Sequence, residues 1–476
     1  MNIKDDFILK NINEGYLVGG CVRDYLMHPN KKNLCICDRD ITIKNAENFA
    51  KKLAAQFDAT FITLDSENNI YRIVLKDKIN YLDISEMQGN CIEDDLKRRD
   101  FTINAIAFDL ANKEYIDVTG GFEDLKNKIL RQINDKNFED DPLRILRAYR
   151  FLAVTGFSPA KELTQALKKY QHLALNPAKE RISYELMKLF GGDYTAEVLL
   201  KMDDDGLLEK LFPCVIEIKQ VPPNSHHHLD LFHHVVETVK QIELLYKNSN
   251  EEIKNHLLKN DFGGFPRINH LKLAGFLHDL GKFSTWTIES NNCKISTCKK
   301  CSKDSQTCGI RHRFIKHDDV GSKMVVPLLK DLKFSKKQIE YIASMIKNHI
   351  YPSNVIIAPD LNEKVMMRYI RKMDCNVIDN IILAKADRLS ALGKDITDEM
   401  VNNNINGLNK LLDFYLKKKD TLKPLPKLLD GNEIMEILNI NQSPKLGNII
   451  TALKEAQLNG EVVTKDEAIF FVKQFN

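Results

Sequence analysis

Apolar and polar residues alternate over the first part of the chain and later recur at helical spacing. Tyr16-Leu17-Val18 is a short apolar run that enters Gly19-Gly20, which predicts a buried strand ending in a turn. From Cys35 to Ile43 the alternation is strict, as in a half-buried strand. Residues 45–57 place Ala50, Leu53 and Ala54 on one side of a helix. Residues 61–64, 71–75 and 79–84 predict further strands, so the front of the chain is a small mixed sheet with helices. From about Asp141 onward the period is helical. Breaks fall at Asn176-Pro177, Gly191-Gly192, Pro222-Pro223 and Gly263-Gly264-Phe265-Pro266, and Lys423-Pro424-Leu425-Pro426 precedes a last helical segment. No internal repeat is visible. The predicted class is α+β, with a mixed front domain and an all-α remainder.

At 476 residues the chain exceeds one ordinary core, and length alone suggests about three domains. The 69 basic and 66 acidic residues leave a net charge of +3, so contact with RNA must come from local basic faces. No apolar run approaches a membrane span, and residues 1–14 hold acids and no signal-peptide core. A cytosolic protein is expected. Of the 10 cysteines, Cys21, Cys35, Cys37, Cys91, Cys214 and Cys375 are scattered and give no disulfide framework.

The candidate chemistry comes in order. Gly19 and Gly20 let backbone N–H groups approach a triphosphate, and Arg23 adds a charged fork. Asp38 and Asp40 stand two apart on a strand and share a face, a pair suited to magnesium. Asp83, taken to end another strand, is the expected third carboxylate. Alone, Asp-x-Asp is also what a solvated strand edge looks like; the glycine turn upstream changes that. In Asp140-Asp141-Pro142-Leu143-Arg144-Ile145-Leu146-Arg147-Ala148-Tyr149-Arg150 the charged residues recur every third position, a row that drifts across about half of a helix surface. Cytosine and adenine each present an amino donor beside a ring-nitrogen acceptor. Asp141 would accept from the first and Arg144 give to the second, selecting C and A without a template, while Arg147 and Arg150 hold phosphates.

Taken together these segments resemble the bacterial class II tRNA nucleotidyltransferase and poly(A) polymerase family. The resemblance rests on Gly19-Gly20-Cys21-Val22-Arg23-Asp24, the Asp-x-Asp strand, Arg98-Arg99-Asp100-Phe101-Thr102-Ile103-Asn104-Ala105, Asp117 to Leu125, the Asp141 helix and Glu180-Arg181-Ile182. It implies a polymerase-β-like head (1–131), a helical neck (132–222), an HD domain (223–395) and a helical tail near the tRNA elbow (396–476). It also implies that Gly20, Arg23, Arg99, Asp141, Arg144, Arg147 and Arg150 bind the nucleotide, that Asp100 lies near the ribose, and that Asp38 and Asp40 bind magnesium. The implied activity is addition of C, C and A to a tRNA 3′ end from CTP and ATP. Two departures stand out. Asp140-Asp141 replaces the usual Glu-Asp. The link from Asp83 to Arg98 is short, similar to relatives that add only C-C. A poly(A) polymerase, or an HD phosphohydrolase with an RNA-binding head, are the other readings.

His234, His278-Asp279, His317, His349 and Asp387 follow the order H…HD…H…H…D, and 276–282 looks like the HD phosphohydrolase signature. Such ligands suit Mn, Ni, Fe or Zn, and the resemblance implies trimming of 2′,3′-cyclic phosphate or 2′-phosphate ends. The His226-His227-His228 run reads as a solvated stretch. Within 291–310, Cys293, Cys298, Cys301 and Cys308 have the spacing C-x4-C-x2-C-x6-C, read as a structural zinc site; a reduced loop is the alternative.

Overall fold

The structure, a computed structural model, describes residues 6–28, 38–290, 310–357, 361–421 and 426–475. The chain divides into two compact units, Met1–Pro213 and Cys214–Asn476.

The first unit is built on a seven-stranded sheet. Its strands are β1 (Tyr16–Val18), β2 (Asp38–Ile43), β3 (Thr60–Asp65), β4 (Ile70–Val74), β5 (Tyr81–Glu86), β6 (Ile106–Asp109) and β7 (Tyr115–Asp117), in the order β3-β4-β5-β2-β1-β6-β7. Only β2 and β5 pair in parallel. The sequence reading found the first five strands and missed β6 and β7. β6 is buried at every position and so shows no alternation to detect.

Register decides what each face carries. Leu17, Ile41 and Ile84 lie opposite one another across β1, β2 and β5. They pack with Phe49, Ala50 and Leu53 of the Ala46–Gln56 helix. One residue along, the other face carries the row Val18, Asp40, Asp83 and Arg72 across β1, β2, β5 and β4. Asp83 is therefore mid-strand, two residues into β5, and does not end it.

Helices Leu143–Thr155, Lys179–Phe190 and Thr195–Asp204 follow the sheet in the same unit. Tyr149 is buried there and donates to Asp205 Oδ2 at 2.8 Å. In the second unit, helix Arg267–Leu277 is buried at every position and forms the centre. Helices Leu231–Lys247, His317–Asp331, Lys336–Asn348 and Val377–Ser390 belong to the same unit. Among the described residues an antiparallel strand pair, Trp286–Ser290 with Ile310–Phe314, interrupts the expected all-α region. The C-terminal helices Gly431–Leu438, Pro444–Asn459 and Lys465–Lys473 share a core of Ile434, Ile449, Leu453 and Val472. Asp430 with Glu433, and Thr464 with Glu467, form reciprocal caps that start two of them. Among the described residues no helix is long and apolar enough to cross a membrane.

Candidate functional site

Gly19 has φ 73°, a backbone state that favours glycine, and a side chain there would meet Asp40 Oδ2 at 3.2 Å. The turn thus brings a bare backbone beside the Asp40 carboxylate, at the start of helix Gly20–Met27. Arg99 Nη1 lies 3.8 Å from the same point, so its guanidinium flanks the turn. Asp95 accepts from Arg99 Nη2 at 2.9 Å and holds it there. Asp38 opens β2, with its backbone opposite Tyr81; its side chain falls outside the description. Asp83 stands beside Asp40 in register, but its two carboxylate oxygens accept from Arg72 Nε and Nη2, each at 2.7 Å.

A hydrogen-bonded path leads from this turn to the Asp141 helix. Arg23 Nη1 donates to Asn104 Oδ1 at 2.7 Å, and Asn104 Nδ2 donates to Asp100 Oδ1 at 3.0 Å. Asp100 then takes a fork from Arg147, with Nε at 2.8 Å. Arg147 and Arg150 both reach the buried Glu185, at 3.8 and 3.2 Å; these are ion-pair distances without hydrogen-bond alignment at Oε2. Burial alone would raise the Asp100 pKa. The Arg147 charge, with hydrogen bonds from Asn104 and the Phe101 N–H, outweighs it and holds the carboxyl at about 2. Burial, aided by Arg147, lowers Arg150 to about 10, which leaves it cationic at neutral pH. Arg23, Arg147 and Arg150 gather around the Phe151 ring at 5.1, 5.6 and 4.3 Å from its centre.

Asp141 and Arg144 lie at the edge of this cluster, both half-buried. Asp141 just precedes helix Leu143–Thr155, and Arg181 Nη2 approaches its Oδ2 at 3.2 Å. Arg144 donates to the Asn137 and Arg98 carbonyls at 3.2 and 3.0 Å. The structure thus collects Asp40, Gly20, Arg23, Arg99, Asp100, Arg147 and Arg150 into one region, with Asp141 and Arg144 beside it. Sequence reasoning missed Phe151 and Glu185, and it named Asn104 and Arg181 within motifs without giving them a role. For Phe151 the one hint was its spacing four residues after Arg147.

In the second unit the expected metal ligands converge. His234 Nε2 lies 3.3 Å from Asp279 Oδ2 and 3.2 Å from Asp387 Oδ1. His278 Nε2 is 3.2 Å from Asp279 Oδ2. On the other oxygen, Asp279 Oδ1, stand His317 Nε2 at 3.2 Å and His349 Nε2 at 3.7 Å. The imidazoles are oriented from behind: Nδ1 of His278, His317 and His349 donates to the carbonyls of Gly275, Phe314 and Ile346, each at 2.7 Å. That tautomer turns every Nε2 lone pair inward. Gly281 allows the fit, since a Cβ there would sit 2.2 Å from the His317 carbonyl.

This donor set fits a divalent metal. Among the described residues, His234 Nε2, His278 Nε2 and both oxygens of Asp279 are fully buried without an aligned hydrogen-bond partner, and a divalent cation between these facing lone pairs would satisfy them all. Lys282 Nζ lies 2.6 Å from Asp279 Oδ2, supplying charge but no aligned hydrogen bond. His227, read from the sequence as solvated, faces the same cluster and groups with His234, Asp279 and Asp387. Cys293, Cys298, Cys301 and Cys308 lie outside the described residues.

Three family models match the chain in sequence. They are the poly A polymerase head domain over 15–131, the probable RNA and SrmB-binding site of polymerase A over 156–218, and the HD domain over 231–392. The chain is 29% identical over 465 residues to an A-adding tRNA nucleotidyltransferase of Deinococcus radiodurans, covering 96% of this chain and 95% of that protein. It is 26% identical over 475 residues to a CC-adding tRNA nucleotidyltransferase of Thermus thermophilus, covering 98% and 95%. The fold is similar to that of the Bacillus stearothermophilus CCA-adding enzyme solved in complex with CTP, with TM-score 0.55, 19% identity and coverage of 97% and 92%. Fold, site and relatives define a nucleotidyltransferase enzyme. The chain belongs to the class II tRNA nucleotidyltransferase and poly(A) polymerase family and carries an HD domain. Head and HD domain both imply dependence on divalent metal.

Proposed function

We propose that this enzyme adds C, C and A to the 3′ end of tRNA, taking CTP and ATP and releasing pyrophosphate. The reading is carried by one observation: the Gly19 turn, the Asp40 carboxylate and the Arg23–Asn104–Asp100–Arg147 path form one continuous site. In this reading Asp38 and Asp40 hold magnesium, with Asp83 beside them. Magnesium held by these carboxylates would supply activation of the 3′-hydroxyl and charge neutralisation at the leaving pyrophosphate. Gly20, Arg23 and Arg99 receive the triphosphate, Asp100 and its Arg147 partner the ribose side, and Arg150 adds charge. Asp141 and Arg144 read the base edge, with Asp141 steadied by Arg181. The proposed division is head 1–131, neck 132–222, HD domain 223–395 and tail 396–476, in a cytosolic protein.

For the HD domain we propose phosphoester hydrolysis at a 2′,3′-cyclic or 2′-phosphate RNA end, with Mn, Ni, Fe or Zn as the ion. A metal held there would supply Lewis-acid activation of water. His234, His278, Asp279, His317, His349 and Asp387 would hold it.

A CC-adding specialist is the second reading. It is favoured by the link after β5, where only residues 87–91 separate the strand from helix Ile92–Lys97. The test is sequencing of products made on a trimmed tRNA with CTP, ATP and both. Products ending in C-C-A are expected. Products ending in C-C at saturating ATP establish the specialist, and no extension at all sinks both readings.

A further inference from the structure

The strand pair Trp286–Ser290 with Ile310–Phe314 carries a flat surface outside the metal ligands. Trp286, the single tryptophan of the chain, stands opposite Phe314 in register, and His312 lies two residues before Phe314. Opposed residues, and residues two apart on a strand, point to one face. Trp286, His312 and Phe314 therefore share a side of the pair, with Ile288 beyond them. The three rings are half-buried and Ile288 is exposed. Trp286 Nε1 donates to His312 Nδ1 at 3.0 Å. The two ring planes are 18° apart, with centroids 5.5 Å apart. An indole N–H lies in the plane of its ring, so an aligned bond between nearly parallel rings sets them side by side rather than face to face. Together they make one extended, nearly flat surface. Burial lowers the His312 pKa, which keeps Nδ1 an acceptor at neutral pH.

This surface is continuous with the HD ligands. The Phe314 carbonyl accepts from Nδ1 of His317 at 2.7 Å. The Phe314 ring centre lies 5.4 Å from Lys282 Nζ, and that nitrogen lies 2.6 Å from Asp279 Oδ2. The other strand is tied to the same segment: Thr285 N–H and Oγ1 both donate to the Gly281 carbonyl, at 3.2 and 2.9 Å. Phe314 and Trp286 are one cross-strand step apart, about 5 Å between Cβ atoms. A ligand seated at the metal ligands can therefore carry a flat ring onto the paired rings. Unpaired RNA ends present such a ring, and proteins hold them by stacking on aromatic and imidazole faces.

We propose that the Trp286–His312 pair is a base platform for the HD site. It stacks the nucleobase of a terminal nucleotide whose phosphate lies at the metal ligands, and His312 is the positioning residue that fixes the indole plane. The inference rests on the HD phosphoesterase reading and deepens it, because it selects nucleotide ends over phosphoesters that lack a base.

The test uses full-length, metal-loaded protein and the fluorescence of Trp286, which no second indole obscures. Adenosine 2′,3′-cyclic phosphate is expected to quench it saturably, and inorganic phosphate to leave it unchanged. Trp286→Leu is expected to raise KM for hydrolysis of that nucleotide about tenfold, with kcat within about twofold. The same variant should hydrolyse glycerol 1,2-cyclic phosphate, which has no base, as wild type does. His312→Leu is expected to raise KM for the nucleotide about fivefold. His312→Asn keeps an acceptor for the indole N–H and should stay within about twofold of wild type, a rescue that a role in folding alone would not produce. Absence of quenching by a nucleotide that the protein hydrolyses overturns the proposal. So does equal quenching by inorganic phosphate, an unchanged KM in Trp286→Leu, or an equal loss on the base-free ester. Wild-type protein that hydrolyses neither ester sinks the phosphoesterase reading instead, and the quenching by nucleotide then decides the platform by itself.

Discussion

The two candidate centres solve opposite electrostatic problems. In the first unit the acids around the candidate site have aligned arginine partners: Asp83 with Arg72, Asp95 with Arg99, Asp100 with Arg147. In the HD unit His234 Nε2, His278 Nε2 and both Asp279 oxygens face one another without aligned partners among the described residues. A charged ligand that comes and goes needs a site that keeps its shape when empty, and ion pairs supply that. A resident metal can itself be the missing partner, so its ligands need only be oriented from behind. The head is therefore expected to respond to substitution through catalysis and stability, the HD unit through metal content.

The sharpest break between the centres is expected from Asp40→Ala. Losing a metal-holding carboxylate should cut tRNA extension about a thousandfold or more, while HD metal content stays at the wild-type level. Retained extension would remove Asp40 from the chemistry. His278→Ala tests the converse. It should strip the HD metal, read by elemental analysis, and leave the extension rate within about twofold. A parallel fall in extension would mean that the centres are coupled.

Next in size is the ion pair that stiffens the head. Arg147→Met leaves the buried Asp100 without its cation and should cost about 3–5 kcal/mol in denaturant unfolding, with Arg147→Met/Asp100→Leu recovering part of the loss. A change under about 1 kcal/mol would show the path to be ornamental. The same carboxyl gives an acid signature. Its folded pKa of about 2 lies below the ordinary 3.8, so the unfolded chain binds the proton more tightly. The stabilisation is complete above about pH 4 and is lost as pH falls towards about 2, an effect of about 2 kcal/mol that Asp100→Asn should lack. Identical acid unfolding of wild type and Asp100→Asn would contradict it. The smallest effect is expected at Arg181, whose side chain is 55% exposed. Arg181→Ala should change stability by less than about 0.5 kcal/mol yet relax discrimination against UTP about threefold. An unchanged CTP-to-UTP ratio would mean that Asp141 needs no such support.

Much of both centres was legible because strand and helix periods map spacing onto faces. Asp40 beside a glycine turn could be read that way, as could the histidine order of the HD unit. The place of Asp83 could not. Whether it ends β5 or sits mid-strand depends on the parallel register with β2, which joins segments about forty residues apart. The charged row of the Asp141 helix was visible, but its division of labour was not. Arg147 and Arg150 turn inward to Asp100, Glu185 and Phe151, while Arg144 serves two backbone carbonyls. His227 was misread for a related reason. A run of histidines looks solvated until Asn224 closes the loop and Gly393 draws it against the unit.

The sequence by itself determined the family, the α+β class, and the order of the candidate metal-binding residues, because those follow from local period and from motifs that must be contiguous to work. Only the tertiary structure decided which acids are neutralised by arginines and which face histidine nitrogens instead. It also decided that Lys282 stands between His227 and Asp279. Those outcomes depend on which distant side chains meet, and on how much water is excluded where they do.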